Sequence, residues 1–494
     1  MSTTQDSPHG PSWLLVRILD ELGLASVWRS SLDAKFLCAQ RFVRLFAYGG
    51  STLILASYLS ALGISDDRIG LFMTLTLAGD VVISFFLTLF ADAMGRRAVL
   101  ALGSALMAAS GVVFGIFGNY WVLLAAAVFG VISPSGNEIG PFRAVEESTL
   151  AHLTPHEILS DIFAWYSLIG TAGTAFGMMT CGWVINVLQS SKGWAFVPAC
   201  RVIFFAYAAV GVIKFALTLA LSKRVEAAKE KKKDSSQQEQ LQQQQSSETE
   251  PLLGSANVEE GAQARKKPRR IPFLPSLETE LLGLVLNLSV LFALDSFASG
   301  LAPLSWMTYF FKRKFDLPEG KLGSIFFTTS IISSASMLVA SSIAKRIGNV
   351  KTMVFTHLPS AICLALIPIP SSLPFALTFL VLRACTQNMD VAPRSAFLAD
   401  ALPPNRRTAI MGAINVVKTC SQSLGPLITG LLAGANLFWV SFVMAGSLKA
   451  TYDIGMLVSF AGKDVSRQKR QDSSSSRAAA EADGGGREQE HQRQ

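Results

Sequence analysis

The sequence predicts an all-α membrane protein with about twelve transmembrane helices in two six-helix halves, a 6+6 pseudo-repeat. Half of its 494 residues are apolar, the mean hydropathy is +0.39 and only 16% of the residues are charged, whereas a soluble domain carries about 25% charged residues. Apolar stretches of at least about 18 residues recur, the length that crosses a hydrocarbon core. A short basic loop built around a glycine follows a long apolar run in each half, which indicates an internal duplication.

Twelve spans are predicted from these stretches, six before and six after a polar insert. They cover residues 42–62, 69–90, 98–117, 120–142, 161–188, 199–221, 280–311, 321–343, 351–369, 373–392, 408–433 and 437–460. We number them as segments 1 to 12.

The chain is accordingly divided into five parts. These are a cytoplasmic N-terminal segment (1–41), an N-terminal half (42–222), a linker (223–276), a C-terminal half (277–461) and a tail (462–494). Leucine and isoleucine at helical spacing between Trp13 and Trp28 predict an interfacial helix before segment 1. The linker and the tail are predicted to be disordered and cytoplasmic, because their charged, glutamine-rich and serine-rich composition cannot bury a core.

The net charge of +8 is distributed over short loops and tails, which follows the positive-inside rule and argues against a nucleic-acid partner. Eight basic residues fall on one side if both termini are cytoplasmic: Arg96, Arg97, Lys223, Arg224, Lys345, Arg346, Arg406 and Arg407. The basic run 312–314 and Lys321 contradict the rule, because they would lie outside. Either this loop attracts anions or the boundary of its span is wrong.

The linker contains a short trafficking-like pattern, in which Glu248 stands four residues before the pair Leu252 and Leu253. The pattern resembles acidic dileucine motifs that sorting adaptors bind, although so loose a pattern also arises by chance. The plasma membrane is the predicted location, with a vacuolar or endosomal membrane as the alternative.

Ionisable residues inside the spans are the strongest functional signal, because each costs about 2.5–3.5 kcal/mol at the centre of a membrane helix. The predicted set is Arg44 in segment 1, Asp80 in segment 2, Glu138 and Arg143 in segment 4, Asp295 in segment 7, Arg383 and Asp390 in segment 10, and Lys418 in segment 11. Asp80 and Asp295 could each carry protons, since burial favours the neutral form of a carboxyl group. Each could equally pair with a buried cation such as Lys418 or Arg44.

Segment 10 carries four polar residues on one predicted helical stripe, namely Arg383, Gln387, Asp390 and Arg394. Lipid cannot solvate such a stripe, so it should face a wet cavity or partner charges. A transport role and an internal salt-bridge network both remain open for Arg383 and Asp390. Arg394, near the cytoplasmic end, is predicted to be a snorkelling or gate residue.

Segment 4 repeats features of segment 10. Asn137 and Arg143 are six residues apart, as are Asn388 and Arg394, and each interval contains a carboxylate, Glu138 in the first, and a proline. Proline and glycine interrupt segment 4 within the predicted span. Matching interruptions in the two halves of a transporter indicate its binding site, so Asn137 joins the candidate pathway.

The loop after segment 2 reads Asp92-Ala93-Met94-Gly95-Arg96-Arg97 and resembles the loop signature of the major facilitator superfamily. With its twelve spans and central linker, the chain resembles a fungal-type transporter of that family. The resemblance implies a cytoplasmic gate in which Asp92 caps a helix and pairs with basic residues. It extends the gate to Gly95, Arg96 and Arg97, and to Arg346 in the second copy, where Lys345 replaces the aspartate. It also implies a cavity lined by segments 1, 4, 7 and 10.

Two departures from the family's drug/proton antiporters count against antiport. Segment 4 has no arginine near its start, and segment 5 has no proline between Gly173 and Gly177. The resemblance therefore leaves the subfamily open.

The resulting hypothesis is a proton-coupled secondary active transporter that moves a small organic solute across the bilayer as a monomer. Its buried cations favour an anionic or zwitterionic substrate. A drug or metabolite efflux antiporter is the alternative, followed by a non-transporting sensor. An enzyme is not predicted: no cofactor motif is present, and His152 and His156 lack a third metal ligand nearby.

Overall fold

A computed structural model describes residues 24–130, 132, 134, 141–155, 158–226, 279–403 and 406–460. The regular elements in these ranges are helices. A short helix, Leu24–Arg29, covers the described end of the predicted interfacial helix. The predicted linker from residue 227 and the predicted tail lie outside the described residues.

The helices form the twelve predicted segments, and the segment numbers now refer to these bounds. Segments 1 to 6 are Leu32–Ala61, Asp66–Met94, Arg96–Ile116, the pair Tyr120–Gly130 and Pro141–Leu153, Leu159–Ser190, and Phe196–Leu219. Segments 7 to 12 are the pair Thr279–Leu301 and Leu304–Phe315, Glu319–Ile347, Asn349–Leu366, the pair Leu373–Thr386 and Val391–Ala401, Arg407–Gly434, and 438–460.

Several helices are longer than predicted. Segment 1 begins ten residues earlier than expected, and segment 4 continues to Leu153 instead of ending at residue 142. Both extensions contain charged residues, which shortened the spans predicted from hydropathy. Arg41 and Glu146 among them are buried in the bundle, whereas Arg143 and Glu147 pair on a partly exposed face. In the described part of the chain, five helices are long and apolar enough to cross a membrane by these two criteria alone. The other segments fall short because they are interrupted or carry more polar residues.

Segments 4 and 10 are interrupted as predicted, and segment 7 is interrupted as well. In segment 10, residues 387–390 form a turn between two helices. The prediction of one continuous stripe from Arg383 to Arg394 is therefore wrong, because the turn separates the two arginines into different helices. In segment 7, Pro303 starts the second helix in an extended conformation, since proline suits a first helical turn and not an interior.

The duplicated loops share one backbone conformation. Gly95 and Gly348, which join segments 2 and 3 and segments 8 and 9, each have φ of 89°. Only glycine adopts this region without strain, so the repeat inferred from the sequence is also present in the backbone.

The two halves pack together at the end opposite these glycine loops. A Cβ atom on Gly182 of segment 5 would lie 2.2 Å from the carbonyl oxygen of Glu319 in segment 8, and one on Gly70 of segment 2 would lie 2.6 Å from that of Pro426 in segment 11. Backbones this close require glycine. The positive-inside rule predicts that the basic loops at Gly95 and Gly348 lie on the cytoplasmic side, and on this expectation we call the packed end the outer end.

The basic run that contradicted the positive-inside rule lies at this outer contact. Arg313 pairs with Asp66 at 2.6 Å across the halves, Tyr309 donates to the same carboxylate at 3.0 Å, and Lys312 pairs with Glu319. Lys312 and Arg313 are thus neutralised by acidic partners, whereas Lys314 donates to the carbonyl of Pro368 at 2.5 Å. Among the described residues, the hydrogen bonds between the halves lie in the outer half of the helices, so the two halves are joined at the outer end.

Candidate functional site

Each half contains a buried group of charged side chains in the part of the bundle near the glycine loops. The first, which we call the N-half cluster, consists of Arg41, Arg44, Glu146, Tyr166 and Lys214. Glu146 is its centre and is fully buried. One carboxylate oxygen lies 2.6 Å from Arg44 Nη2 and the other 3.4 Å from Lys214 Nζ, while the Tyr166 hydroxyl donates to the first at 2.6 Å.

Arg41 completes the N-half cluster by contacting Tyr166. Its guanidinium lies 4.2 Å from the centroid of the tyrosine ring, and its Nη1 donates to the hydroxyl at 3.2 Å. The cluster therefore joins segments 1, 4, 5 and 6 and places three cations around Glu146. Asp80 is also buried in this half.

The second group, the C-half cluster, consists of Asp295, His357, Asp390, Arg394, Lys449 and Asp453. Asp295 is held by Lys449 Nζ at 2.6 Å and by Arg394 Nη1 at 3.3 Å. Arg394 also pairs with Asp390, one turn earlier in segment 10. The cluster thus connects segment 7 with segments 10 and 12 immediately after the turn that interrupts segment 10.

His357 of segment 9 connects two carboxylates of this cluster. Its Nδ1 lies 3.0 Å from both carboxylate oxygens of Asp453, and its Nε2 lies 4.0 Å from Asp295 Oδ1. All three side chains are buried. The imidazole therefore stands between two acids, one at each ring nitrogen.

The two clusters occupy equivalent places in the repeat but have opposite polarity. Arg44 and Asp295 are 251 residues apart, the same interval that separates Arg143 from Arg394. In the first half a cation on segment 1 pairs with a carboxylate on segment 4. In the second half a carboxylate on segment 7 pairs with a cation on segment 10.

Arg383 lies apart from these ion pairs. Among the described residues no carboxylate forms a salt bridge with it, and its Nε is buried without a hydrogen-bond partner. Asp390, which the sequence offered as its structural partner, pairs with Arg394. Gln387 and Asn388 donate to Ser333 Oγ of segment 8 at 3.0 and 2.7 Å.

The remaining pathway candidates are more dispersed. Arg143 pairs with Glu147 at 2.7 Å on a partly exposed face, and the Lys418 ammonium lies 5.5 Å from the centroid of the Phe292 ring, beside the C-half cluster. Asn137 and Glu138 lie outside the described residues. The structure therefore brings Arg44, Asp295, Asp390 and Arg394 into the two clusters and leaves Arg143 outside them.

The predicted gate residues are spread over two places. Arg96 and Arg97 begin segment 3, and Arg97 donates to the carbonyl of Leu219 at 2.7 Å. Arg346, at the end of segment 8, is exposed. Arg394, expected at the cytoplasmic end, instead pairs inside the C-half cluster. The side chain of Asp92 lies outside the described residues. The gate role of these residues stays a prediction.

The sequence analysis missed several cluster residues: Arg41, Glu146, Tyr166, Lys214, His357, Lys449 and Asp453. Arg41 and Glu146 fell outside spans that were drawn too short. Lys214, Lys449 and Asp453 lie inside the predicted segments 6 and 12, so a search for every ionisable residue in those segments would have found them.

Comparisons with known proteins agree with this architecture. A family model described as Major Facilitator Superfamily matches residues 37–308 and 288–481. The "Uncharacterized membrane protein YJR124C" of Saccharomyces cerevisiae is 36% identical over 444 residues, which are 89% of this chain and 97% of that protein.

Two further matches are more distant. The "Quinolone resistance protein NorA" of Staphylococcus aureus is 23% identical over 168 residues, covering 34% of this chain and 39% of that protein. The crystal structure of a D-xylose-proton symporter is similar with a TM-score of 0.64 at 11% identity, over 86% of this chain and 97% of that one. The chain therefore belongs to the major facilitator superfamily, as an integral multi-pass membrane protein that is a transporter and not an enzyme.

Proposed function

We propose that this chain is a secondary active transporter that moves a small organic anion by alternating access and couples this movement to protons. The observation that carries the proposal concerns Arg383, a half-buried arginine whose Nε is buried without a hydrogen-bond partner and whose guanidinium has no carboxylate partner among the described residues. An uncompensated buried charge is costly, and in a transporter such a charge is a functional candidate.

Arg383 is placed where a substrate is expected. It lies ten residues into segment 10 from the outer end, about 15 Å along the helix axis, which is near the middle of a hydrocarbon core of about 30 Å. A guanidinium can hold a carboxylate through two parallel hydrogen bonds. A carboxylate substrate would thus supply the missing counter-charge.

The balance of charge around the two clusters also favours an anion. Counting only described side chains in the two clusters and near them gives seven cations, Arg41, Arg44, Lys214, Arg383, Arg394, Lys418 and Lys449, against five carboxylates, Asp80, Glu146, Asp295, Asp390 and Asp453. A positive interior attracts an anionic solute and raises its local concentration.

Alternating access is supported by the packing of the halves, which close the outer end through Gly70, Gly182 and the Asp66–Arg313 pair. Rocking the halves apart at this end would expose the interior to the outside. Asp80 and Glu138 remain proposed proton carriers from the sequence.

The second candidate function is drug efflux, which the partial similarity to the quinolone resistance protein favours. The two candidates differ in the charge of the ligand. Lipophilic drugs of neutral or cationic character do not need an unpaired arginine.

A thermal-shift screen of the purified protein with organic anions, organic cations and neutral solutes tests the proposal. A ligand at 100 times its Kd stabilises a protein by about 2.7 kcal/mol, so an anionic hit should raise Tm measurably. Arg383→Gln should weaken this binding at least about tenfold, because a charged hydrogen bond contributes about 1.5–3 kcal/mol. Arg383→Lys should retain only part of the affinity.

The matched control is Arg29→Gln, which removes an exposed arginine and should leave the ligand response unchanged. Stabilisation by cations or neutral drugs alone would favour efflux. Anion binding that survives Arg383→Gln would remove this residue from the substrate site.

A further inference from the structure

The His357–Asp453 pair has an unusual composition for a buried ionic contact. Asp453 is 1% exposed and His357 is 4% exposed, and the imidazole is the hydrogen-bond partner of this carboxylate among the described residues. Lys449 and Arg394 pair with Asp295 and Asp390 instead. In the part of the chain that the structure describes, no lysine or arginine is in salt-bridge contact with Asp453.

One additional proton would neutralise this pair. An ionised Asp453 beside a neutral imidazole is a buried negative charge without a directly bonded cation among the described residues, and such a charge is costly. A proton shared between the carboxylate and Nδ1 makes the pair electrically neutral. Imidazole is the side chain that ordinarily changes its charge between about pH 5 and pH 8.

Charged groups of three segments act on this pair: Asp295 from segment 7, Arg383 and Arg394 from segment 10 and Lys449 from segment 12, with the Tyr452 ring 6.0 Å from the imidazole. Asp390, paired with Arg394, and Lys418, above the Phe292 ring, lie farther out. Of the groups in hydrogen-bond or ion-pair contact with Asp295, His357 alone is able to gain a positive charge, because the lysine and arginine already carry one.

We propose that His357 and Asp453 form the proton-binding site of the transport cycle and that Asp295 transmits its state to segment 10. This rests on the proton-coupled function proposed above. The proton is taken up from the aqueous side to which the interior is open and leaves as a proton, with no other bond formed or broken.

The geometry connects proton binding to movement. A protonated imidazole donates to Asp453 through Nδ1, and its Nε2–H points to Asp295 at 4.0 Å. It faces Oδ1, the oxygen that Lys449 holds at 2.6 Å, while Arg394 holds Oδ2 at 3.3 Å. The added positive charge at this carboxylate reduces its attraction for Arg394, which weakens the contact between segments 7 and 10. Arg394 lies at the start of the second helix of segment 10, directly after the turn at 387–390, where the segment is able to bend.

Electron-resonance distance measurements on the full chain in liposomes, without substrate, test this site. Spin labels at Lys192→Cys and Ser371→Cys report the outer end of each half, since both positions are exposed; the six native cysteines are first replaced. The distance distribution should change between about pH 5 and pH 8. His357→Gln and Asp453→Asn should each abolish that change.

Two further variants separate proton binding from a structural role. Asp453→Glu keeps the carboxyl group and should preserve the pH response, and His152→Gln removes an exposed histidine and should behave like the wild type. If Asp453→Asn does not fold, His357→Gln decides alone.

The outcomes distinguish this site from the proposed function. A wild-type response that persists unchanged in His357→Gln and Asp453→Asn overturns this site while leaving coupling through other residues open. A wild-type protein without any pH response overturns this site together with proton coupling. Because the samples contain no substrate, an incorrect substrate class affects neither result.

Discussion

Replacing Glu146 with glutamine is expected to destabilise the N-terminal half by about 3–5 kcal/mol, the cost of breaking a buried ion pair from one side. Glu146 is fully buried and contacts Arg44 at 2.6 Å and Lys214 at 3.4 Å. Glutamine keeps the size of the side chain but removes the negative charge that compensates Arg44 and Lys214. The thermal unfolding midpoint in detergent and the abundance at the membrane should both fall strongly.

Glu147→Gln is the matched control, because the neighbouring glutamate is 31% exposed and pairs with a partly exposed Arg143. Such a surface pair contributes only about 0.3–0.5 kcal/mol. The double change Glu146→Gln with Lys214→Met should recover part of the lost stability, because it removes one of the two buried cations that Glu146→Gln leaves without a negative partner. Equal effects of Glu146→Gln and Glu147→Gln would contradict the central role of Glu146.

Replacing Gly182 with valine is expected to shift the protein from the inward-facing to the outward-facing state. The Cβ of the new valine would lie 2.2 Å from the carbonyl oxygen of Glu319. Because this oxygen belongs to the backbone of segment 8, the clash is relieved only if segments 5 and 8 move apart. Overpacking of this kind costs about 1–3 kcal/mol, which changes the ratio of the two states by about 5- to 150-fold. Gly70→Val should act in the same direction through Pro426.

The distance between spin labels at Lys192 and Ser371 measures this shift, and it should increase in both variants. Gly283→Val is the control, because no atom lies within 4 Å of a Cβ at Gly283. An unchanged distance in Gly182→Val would mean that the outer contact does not determine the state.

The sequence was sufficient for the fold because membrane helices depend on long apolar runs and short basic loops. The segment count, the duplicated glycine loops and the interruptions of segments 4 and 10 were all predicted and are present. The break at Pro303 in segment 7 was not predicted, since the apolar run continues through it and hydropathy does not register a local loss of hydrogen bonds.

The candidate site was only partly predictable. Arg44, Asp295 and Asp390 were recognised as charges within apolar runs, whereas Glu146 was missed because the charges around it shortened the predicted segment 4. The pairing of charges is a tertiary property. Helical spacing predicted that Asp390 would lie near Arg383. In the structure, the turn at 387–390 places Asp390 beside Arg394 instead. Helical periodicity could not predict this pairing, because it assumes an uninterrupted helix.

Transport by the purified protein in liposomes tests the central proposal, a proton-coupled carrier of an organic anion, most directly. An anion selected by the thermal-shift screen is supplied to liposomes with and without a pH gradient. The proposal predicts accumulation of the anion that depends on the gradient in the wild type and is lost in Arg383→Gln, with Arg29→Gln unaffected. Accumulation of cationic or neutral drugs only, or anion accumulation that is the same with and without the gradient, would contradict it.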